Sequence, residues 1–422
     1  MKLECENIGK LSSAEVEINT ITLIAGLNST GKSTVGKLLY SIFNSFYDFE
    51  KKAASTLKSF IANQLSEISY PFSTMDECIE ALYQLRDSDE ELNEEVVRKT
   101  IKDYTGENFF IKNDKVILNR ILELLNLSDD EIHKRILQTK FSSEFDNQIQ
   151  NIFSEEKRSN VVLSVKDSEI SVTLKNDKIY SIKNAQTLKT EVIYIDDPFV
   201  LDNLTQRGGL FGYIRDHKSH LQKKLSIGIA KSSEMNSVIQ ELITTKKLKK
   251  IYDKIDLVCN GNIIAEVKSG FSFQYEDTKK TLSLKNLSAG LKTFSIIKTL
   301  LLNGSLVPNG TIILDEPEIH LHPEWQKLLA EIIVLIQKEF GMHILINSHS
   351  PYFINAIDVY AKKYKIRESC KFYLAEDEGS SSHTSKLIDV SDDIEAINKL
   401  LFIPLQELEN ERSEIEEGHE DD

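Results

Sequence analysis

The sequence predicts an α/β fold: a mixed sheet with an antiparallel β lobe and an inserted helical lobe. Three observations predict it. The β-branched run Ile21–Ile24 ends in a glycine-rich loop, and a helix follows from near Gly31. From 290 to 375, helices alternate with short apolar strands, the pattern of a largely parallel sheet. Between these parts, 46–155 lacks strand-like runs and is rich in Glu, Lys, Leu and Ile at helical spacing.

The elements follow in order. Residues 1–45 read as three strands, "KLECENIG", "AEVEIN" and "TITLIAG", then the loop and its helix. The helical insertion 46–155 contains stretches such as "VILNRILELLNLSDDEIHKRILQ". In 156–200, "SNVVLSVKD", "SEISVTLKND" and "KIYSIKN" are short alternating segments separated by turn residues, the signature of an antiparallel meander. An apolar strand in "TEVIYIDDPFV" closes that part. Residues 201–254 read as helical and carry basic clusters at Arg215–Lys224 and Lys246–Lys254. In 255–376, "IDLVCNGNIIAEVKSG" and "FSFQYED" read as further strand. Helix 290–303 then precedes strand 311–315, helix 323–339 precedes strand 343–347, and helix 351–363 precedes strand 371–375. Residues 377–422 are expected to be an extension with an acidic tail.

Composition narrows the class. With 422 residues, 41% apolar and 28% charged, the chain is long enough for two or three domains of globular type. The net charge is −15; the tail Glu407–Asp422 holds nine acidic residues and one Arg, and removing its −8 leaves −7. That balance argues against a uniformly basic nucleic-acid coat, though not against a local basic groove. No apolar run approaches a membrane span; the longest candidate, Leu328–Ile336, is interrupted by Glu331. The start, Met1–Glu6, has no apolar signal core. Cys5, Cys78, Cys259 and Cys370 lie far apart and form no CxxC, as expected of reduced thiols in a cytoplasmic protein.

Four short motifs carry chemistry. Gly26-Leu27-Asn28-Ser29-Thr30-Gly31-Lys32-Ser33, followed by Thr34, fits GxxxxGK[ST] between a strand and a helix. Such a loop turns backbone amides toward a phosphate, Lys32 reaches the β- and γ-phosphates of ATP, and Ser33 ligates Mg²⁺. In "GTIILDEPEIHLHP", Asp315 and Glu316 end a buried strand, the usual ligand edge of an α/β sheet. Asp315 is expected to hold Mg²⁺ largely through water, and Glu316 to act as general base on the attacking water. In "HILINSHSPYF", His349 lies just beyond another buried strand, in reach of a γ-phosphate. "NLSAGLKTF" opens a helix with Ser288 and Gly290, whose hydroxyl and backbone amides suit an anion. Lys32, Glu316 and His349 are therefore the candidate catalytic groups. Gly26, Asn28, Ser29, Thr30, Gly31, Lys32, Ser33, Thr34, Ser288 and Gly290 are the candidate ATP contacts, and Ser33 and Asp315 the candidate metal ligands.

The order of "GLNSTGKST", "LSAGLKTF", "ILDEPEIHLHPEWQ" and "INSHSPYF" resembles the P-loop ABC-type ATPase heads of the SMC and double-strand-break-repair class. The match looks best for the AAA-15/AAA-21 and OLD-like bacterial ATPases, including the PtuA-like and AriA-like proteins of anti-phage defence systems such as Septu and PARIS. It covers 1–45 and about 280–375 well, and the middle by order of elements. Two departures stand out. The signature has Ala289 and Leu291 where the family has Gly and Gln, and Asp196 and Asp197 follow the strand where a glutamine is usual.

The resemblance implies an ATPase whose signature helix closes over ATP held by a second subunit, hence a homodimer, with higher oligomers open. Fewer than fifty residues follow strand 371–375, no room for the Toprim domain of OLD nucleases, so cleavage would fall to a separate effector nuclease. The implied role is a sensor or regulator of that partner in defence. The alternative is a RecF/SMC-type DNA-repair clamp whose basic clusters line a groove; DNA and RNA both stay open as ligands. A transporter subunit is disfavoured by the acidic tail and the helical insertion.

Overall fold

The computed structural model describes all residues except 69–72, 89–90, 106–113, 205–215, 227–245, 267–269, 279, 380–382 and 421–422. The chain divides into two compact units. The first comprises Met1–Asn44, Thr139–Ala185 and Thr190–Asp422; the second comprises Ser45–Gln138 with Gln186–Lys189.

The first unit is built on an 11-stranded sheet. Its strands are β1 (Lys2–Ile8), β2 (Leu11–Glu17), β3 (Ile21–Gly26), β4 (Arg158–Val165), β5 (Ser168–Lys175), β6 (Lys178–Lys183), β7 (Val192–Ile195), β11 (Thr311–Asp315), β12 (His343–Ser348), β13 (Lys371–Asp377) and β14 (Ser385–Asp389). One half is parallel, in the order β13-β3-β12-β11-β7. Every residue of β3, β7 and β11 is buried, so these strands read as unbroken apolar runs rather than alternating ones. The other half, β6-β5-β4-β1-β2, is antiparallel and shows the period-2 burial of a sheet with one wet face.

β14 joins the halves, antiparallel to β13 and parallel to β2. The head therefore continues past residue 376, and 377–422 is an extension only beyond this strand. β14 is short, and only its first residue is fully buried, which hides its place in the sheet from pattern reading.

Three helices connect the parallel strands: α9 (Ala289–Leu302), α10 (Pro323–Phe340) and α11 (Pro351–Lys363). Their bounds fall within one or two residues of the expected ones. Each has a start signal, with Ser288, His322 and Ser350 as N-caps and Pro at the first turn of α10 and α11. α10 stops at Gly341, whose φ of +63° needs no Cβ. α9 is buried almost all round; Phe294, Ile297 and Leu300 share a core with Ile312, Leu314, Ile333 and Ile336.

A second, three-stranded sheet contains β8 (Gly261–Glu266), β9 (Gly270–Tyr275) and β10 (Thr281–Ser283). Ile255 and Asp256, expected in strand, instead end helix α8 (Lys246–Asp256). The expected helical stretch 201–254 otherwise contains the end of the short turn Pro198–Asn203 and a helix at 217–226, α7; residues 205–215, including Arg215, and 227–245 lie outside the described residues.

The second unit contains helices α2 (Phe49–Ile68), α3 (Met75–Gln84), α4 (Glu94–Thr105) and α5 (Asp114–Leu125). Their apolar faces share one core, with Ile61, Leu65, Leu82, Val97, Ile101, Leu118 and Ile121. The unit ends at Gln138, inside α6 (Asp129–Glu144), rather than at 155. The residues after α6 belong to the sheet: Gly9 donates to the Ile149 carbonyl at 2.8 Å, and Asn151 to that of Asn7 at 3.1 Å. The remaining helices are α1 (Lys32–Phe46) and α12 (Glu395–Glu420). All four cysteines are buried thiols. No helix among the described residues is long and apolar enough to cross a membrane.

Candidate active site

The phosphate loop begins where β3 ends. Gly26 pairs with Ala375 on β13 and has a φ of +152°. A Cβ there would lie 2.7 Å from the Ala375 carbonyl oxygen, so only glycine fits. Leu27, Asn28 and Ser29 are exposed, Thr30 is buried, and Gly31, Ser33 and Thr34 are half-buried. Thr30 donates to the Leu27 carbonyl at 2.9 Å and tightens the turn. Lys32 is buried and folds back on its own loop, donating to the carbonyls of Gly26 at 3.0 Å and Leu27 at 2.7 Å. Burial holds its ammonium below the ordinary value, against the pull of Glu316 and Asp315.

The parallel register sets the acidic end opposite this loop. Asp315 pairs with Asn347 across β11 and β12. Its carboxylate is buried and gripped at both oxygens: Oδ1 accepts from Asn347 Nδ2 at 2.9 Å, and Oδ2 from the Tyr194 hydroxyl at 2.7 Å. Glu316 leaves the strand with a φ of +49°, rare for a residue with a Cβ, while its N–H donates to the Asn347 carbonyl at 2.9 Å. That turn brings Glu316 Oε1 within 3.2 Å of His349 Nδ1 and 3.9 Å of Lys32 Nζ. The His349 contact is ionic, without hydrogen-bond alignment. His349 draws the Glu316 carboxyl below its ordinary range, and Glu316 raises the His349 imidazole. Lys32, Glu316 and His349, from three separate elements, thus meet at one point.

The loop that presents His349 is clamped on both sides. The Ser348 hydroxyl donates to Glu318 and accepts from the Ser350 N–H at 3.1 Å. The Ser350 hydroxyl donates to Gln326 Oε1 at 2.7 Å and accepts from Phe353 N–H at the start of α11. Glu318 is 1% exposed, and burial raises its carboxyl. Sequence reasoning quoted Glu318, Gln326, Asn347 and Tyr194 without assigning them a part. The second acid of "DEPE", so close behind a buried strand, was the available signal.

The signature segment lies elsewhere. Ser288 is exposed and caps α9, accepting from Leu291 N–H at 3.4 Å. Gly290 is buried, and a Cβ on it would lie 2.8 Å from the Trp325 ring and 3.1 Å from Leu321. Within this chain Gly290 lets α9 pack against the start of α10. Among the described residues no hydrogen bond or ion pair links Ser288 or Gly290 to the phosphate loop. The same helix carries buried Lys292, which pairs with Asp202 at 2.5 Å and lies over the Phe199 ring.

The two aspartates after β7 separate in role. Asp197 caps the turn Pro198–Asn203 through Phe199 N–H. Asp196 lines a small cavity with Thr293, Asp315 and Glu316, and faces His217 and Lys218. Four of the described basic residues of the first cluster face acids of their own unit. His217 meets Glu144 and Asp196, Lys218 meets Asp196, and His220 and Lys224 both meet Glu191. In the second cluster, Lys254 pairs with Glu331 at 2.6 Å, while Lys249 and Lys250 are exposed.

The residues fit Mg²⁺–ATP. A loop whose Gly26 leaves no room for a Cβ, a buried lysine on loop carbonyls, and a buried carboxylate at the facing strand end form a matched set. Together with the mixed sheet they define a P-loop nucleotide-binding protein. The AAA ATPase domain family model (AAA_15) matches residues 1–354, and the chain belongs to that family. Among solved structures, it is similar to an SMC head bound to the C-winged helix domain of ScpA, at 12% identity over 93% of this chain and 97% of that one, TM-score 0.44. The SMC head domain from Thermotoga maritima is also 12% identical, over 92% and 98%, TM-score 0.37. An SMC head with an extended coiled coil, bound to the C-terminal domain of ScpA from Pyrococcus furiosus, is 11% identical over 94% and 98%, TM-score 0.42.

Proposed function

We propose that this protein hydrolyses ATP to ADP and phosphate at a site completed by a second copy, and uses the cycle to regulate a partner. The observation that carries the hydrolytic part is the meeting of Lys32, Glu316 and His349 beside the doubly held Asp315. Lys32 exchanges the Gly26 and Leu27 carbonyls for the β- and γ-phosphates. Ser33 and Asp315 hold Mg²⁺, which neutralises phosphate charge when bound. Glu316, kept ionised by His349, takes a proton from the attacking water as its oxygen bonds to the γ-phosphorus and the bond to the leaving ADP oxygen breaks. His349 then lies where the γ-phosphate is present or lost.

The two-copy part rests on Ser288. It caps a helix, is exposed, and makes no bond to its own phosphate loop, so its anion-binding end is available to ATP on another chain. The biological role we propose is a sensor or regulator of a separate effector nuclease in anti-phage defence. The clamp reading takes two basic clusters as a groove; in the first, the described His217, Lys218 and Lys224 pair with acids of their own unit and His220 lies against Glu191, which favours the regulator.

The deciding experiment pairs two variants. Glu316→Gln should retain ATP and accumulate as a dimer in light scattering. Ser288→Arg should bind ATP through Lys32 yet lose turnover. Wild-type hydrolysis by a monomeric Ser288→Arg chain would sink the composite site, and undiminished turnover by Glu316→Gln the assigned base. Strong, salt-dependent stimulation by duplex DNA would restore the clamp.

A further inference from the structure

Helix α7 is positively charged in sequence, yet its first residue sits at the centre of a buried network. His217 is 7% exposed. Its Nδ1 lies 2.6 Å from Glu144 Oε2, and its backbone N–H donates to Glu144 Oε1 at 2.7 Å. Its Nε2 lies 3.0 Å from Asp196 Oδ2. With a carboxylate against each ring nitrogen, the imidazole is held as a cation. Burial opposes that charge, but Asp196 and Glu144 more than offset it, and His217 is raised to about 9. The ring stacks on Tyr194 with centroids 4.3 Å apart and an interplanar angle of 21°. Tyr40 packs edge-on against the same imidazole, centroids 5.9 Å apart. The Tyr194 hydroxyl donates to Asp315 Oδ2 at 2.7 Å.

A cation on the face of a phenol ring is held there by the ring's electron density and polarises its hydroxyl toward donation. The stack also fixes where that hydroxyl points. Asp315 is then locked at both oxygens, by Tyr194 on one and Asn347 on the other. Outer partners of this kind orient a metal ligand and tune its affinity.

We propose that His217 is a positioning residue for the divalent cation of the nucleotide site, acting through Tyr194 on Asp315. This rests on the ATPase reading above. The Glu144–His217–Asp196 arrangement gives α7 a function other than charge display: it holds the tyrosine that holds the metal carboxylate. A purely structural network would stabilise the fold without discriminating between nucleotide alone and nucleotide with metal.

The test uses the full chain and two affinities. Mn²⁺ is titrated by electron paramagnetic resonance with a non-hydrolysable ATP analogue saturating, and the analogue alone is titrated in EDTA. Tyr194→Phe, which deletes only the hydroxyl, should weaken Mn²⁺ about tenfold, the usual order for an outer partner. His217→Gln should weaken it in the same direction. The double variant should bind Mn²⁺ no worse than Tyr194→Phe, because one path is being cut twice. Analogue affinity in EDTA should stay at the wild-type value throughout. Unchanged Mn²⁺ affinity in Tyr194→Phe or in a folded His217→Gln overturns the inference, as do effects that multiply in the double variant. Should His217→Gln fail to fold, Glu144→Gln, which removes the carboxylate facing the ring Nδ1, takes its place with the same expected and overturning results. A wild-type chain that binds no analogue in either titration overturns the ATPase reading itself, an outcome distinct from normal wild-type binding with unaffected variants.

Discussion

Glu316 and His349 carry opposite charges 3.2 Å apart, each about a third exposed, so solvent screens their attraction and the pair matters more for protonation than for stability. Their shifts have opposite signs. The raised His349 contributes stability that is full below its ordinary value of 6.5 and lost as pH rises through the raised one. The lowered Glu316 contributes stability present above its ordinary 4.5 and lost as pH falls through the depressed one. The pair is therefore intact between those two ordinary values, and a histidine midpoint above 6.5 is expected for His349 in an NMR titration. Glu316→Gln should bring that midpoint down; an unmoved midpoint would show that the two groups do not sense each other. Gly290 makes a second residue-scale prediction. Gly290→Ala drives a methyl to 2.8 Å from the Trp325 ring and should cost about 1–3 kcal/mol in thermal unfolding, as overpacking does. Its packing role is independent of any phosphate contact, and helical spacing alone could not reveal it.

At the scale of elements, the chemistry depends on how strand ends are tied to the loops beyond them. Ser348 at the end of β12 is buried and bonded to Glu318, and Ser350 to Gln326 on α10. These bonds fix the backbone on both sides of His349. Glu318→Ala should strip the Ser348 hydroxyl of its acceptor and cost about 1–3 kcal/mol, the usual penalty for a stranded buried polar group. ATP turnover should fall with it as the His349 loop loosens. Glu318→Gln keeps an acceptor of the same length and should restore most of both, read from melting temperature and steady-state rate. A Glu318→Gln chain as damaged as Glu318→Ala would show that the ionised carboxylate, rather than the acceptor, is needed. The DEPE segment displays two acids, and only the fold separates them: Glu316 partly exposed toward Lys32, Glu318 buried under Ser348.

At the scale of the whole molecule, the sheet runs beyond the last strand legible in the sequence. β14 lies inside the sheet, between β2 and β13, so its removal would leave unpaired edges on both. Truncation after residue 376 should yield insoluble protein, whereas deletion of 407–422, where the described side chains are exposed, should leave the melting temperature unchanged. Similar behaviour of the two truncations would contradict the placement of β14. The membership of the AAA ATPase domain family spans residues 1–354 and so reaches across both compact units of the chain.

Local pattern by itself determined a good deal here. The phosphate loop, the buried strands at 311–315 and 343–347, the alternation from 290 to 375, and the residues Lys32, Asp315, Glu316 and His349 were legible, because each depends on neighbours within a few positions. Tertiary structure alone decided which distant groups meet. Tyr194 reaches Asp315 across 121 positions, Glu144 reaches His217 across 73, and Glu318 reaches Ser348 across 30. It also set His217, Lys218 and Lys224 of a basic cluster against acids of their own unit, and turned an apparent extension into a strand of the sheet. The physical reason is the same in each case. Periodicity records whether a side chain is buried, and leaves open which partner satisfies a buried charge or an open strand edge; that is settled only when strands align in register and helices pack over them.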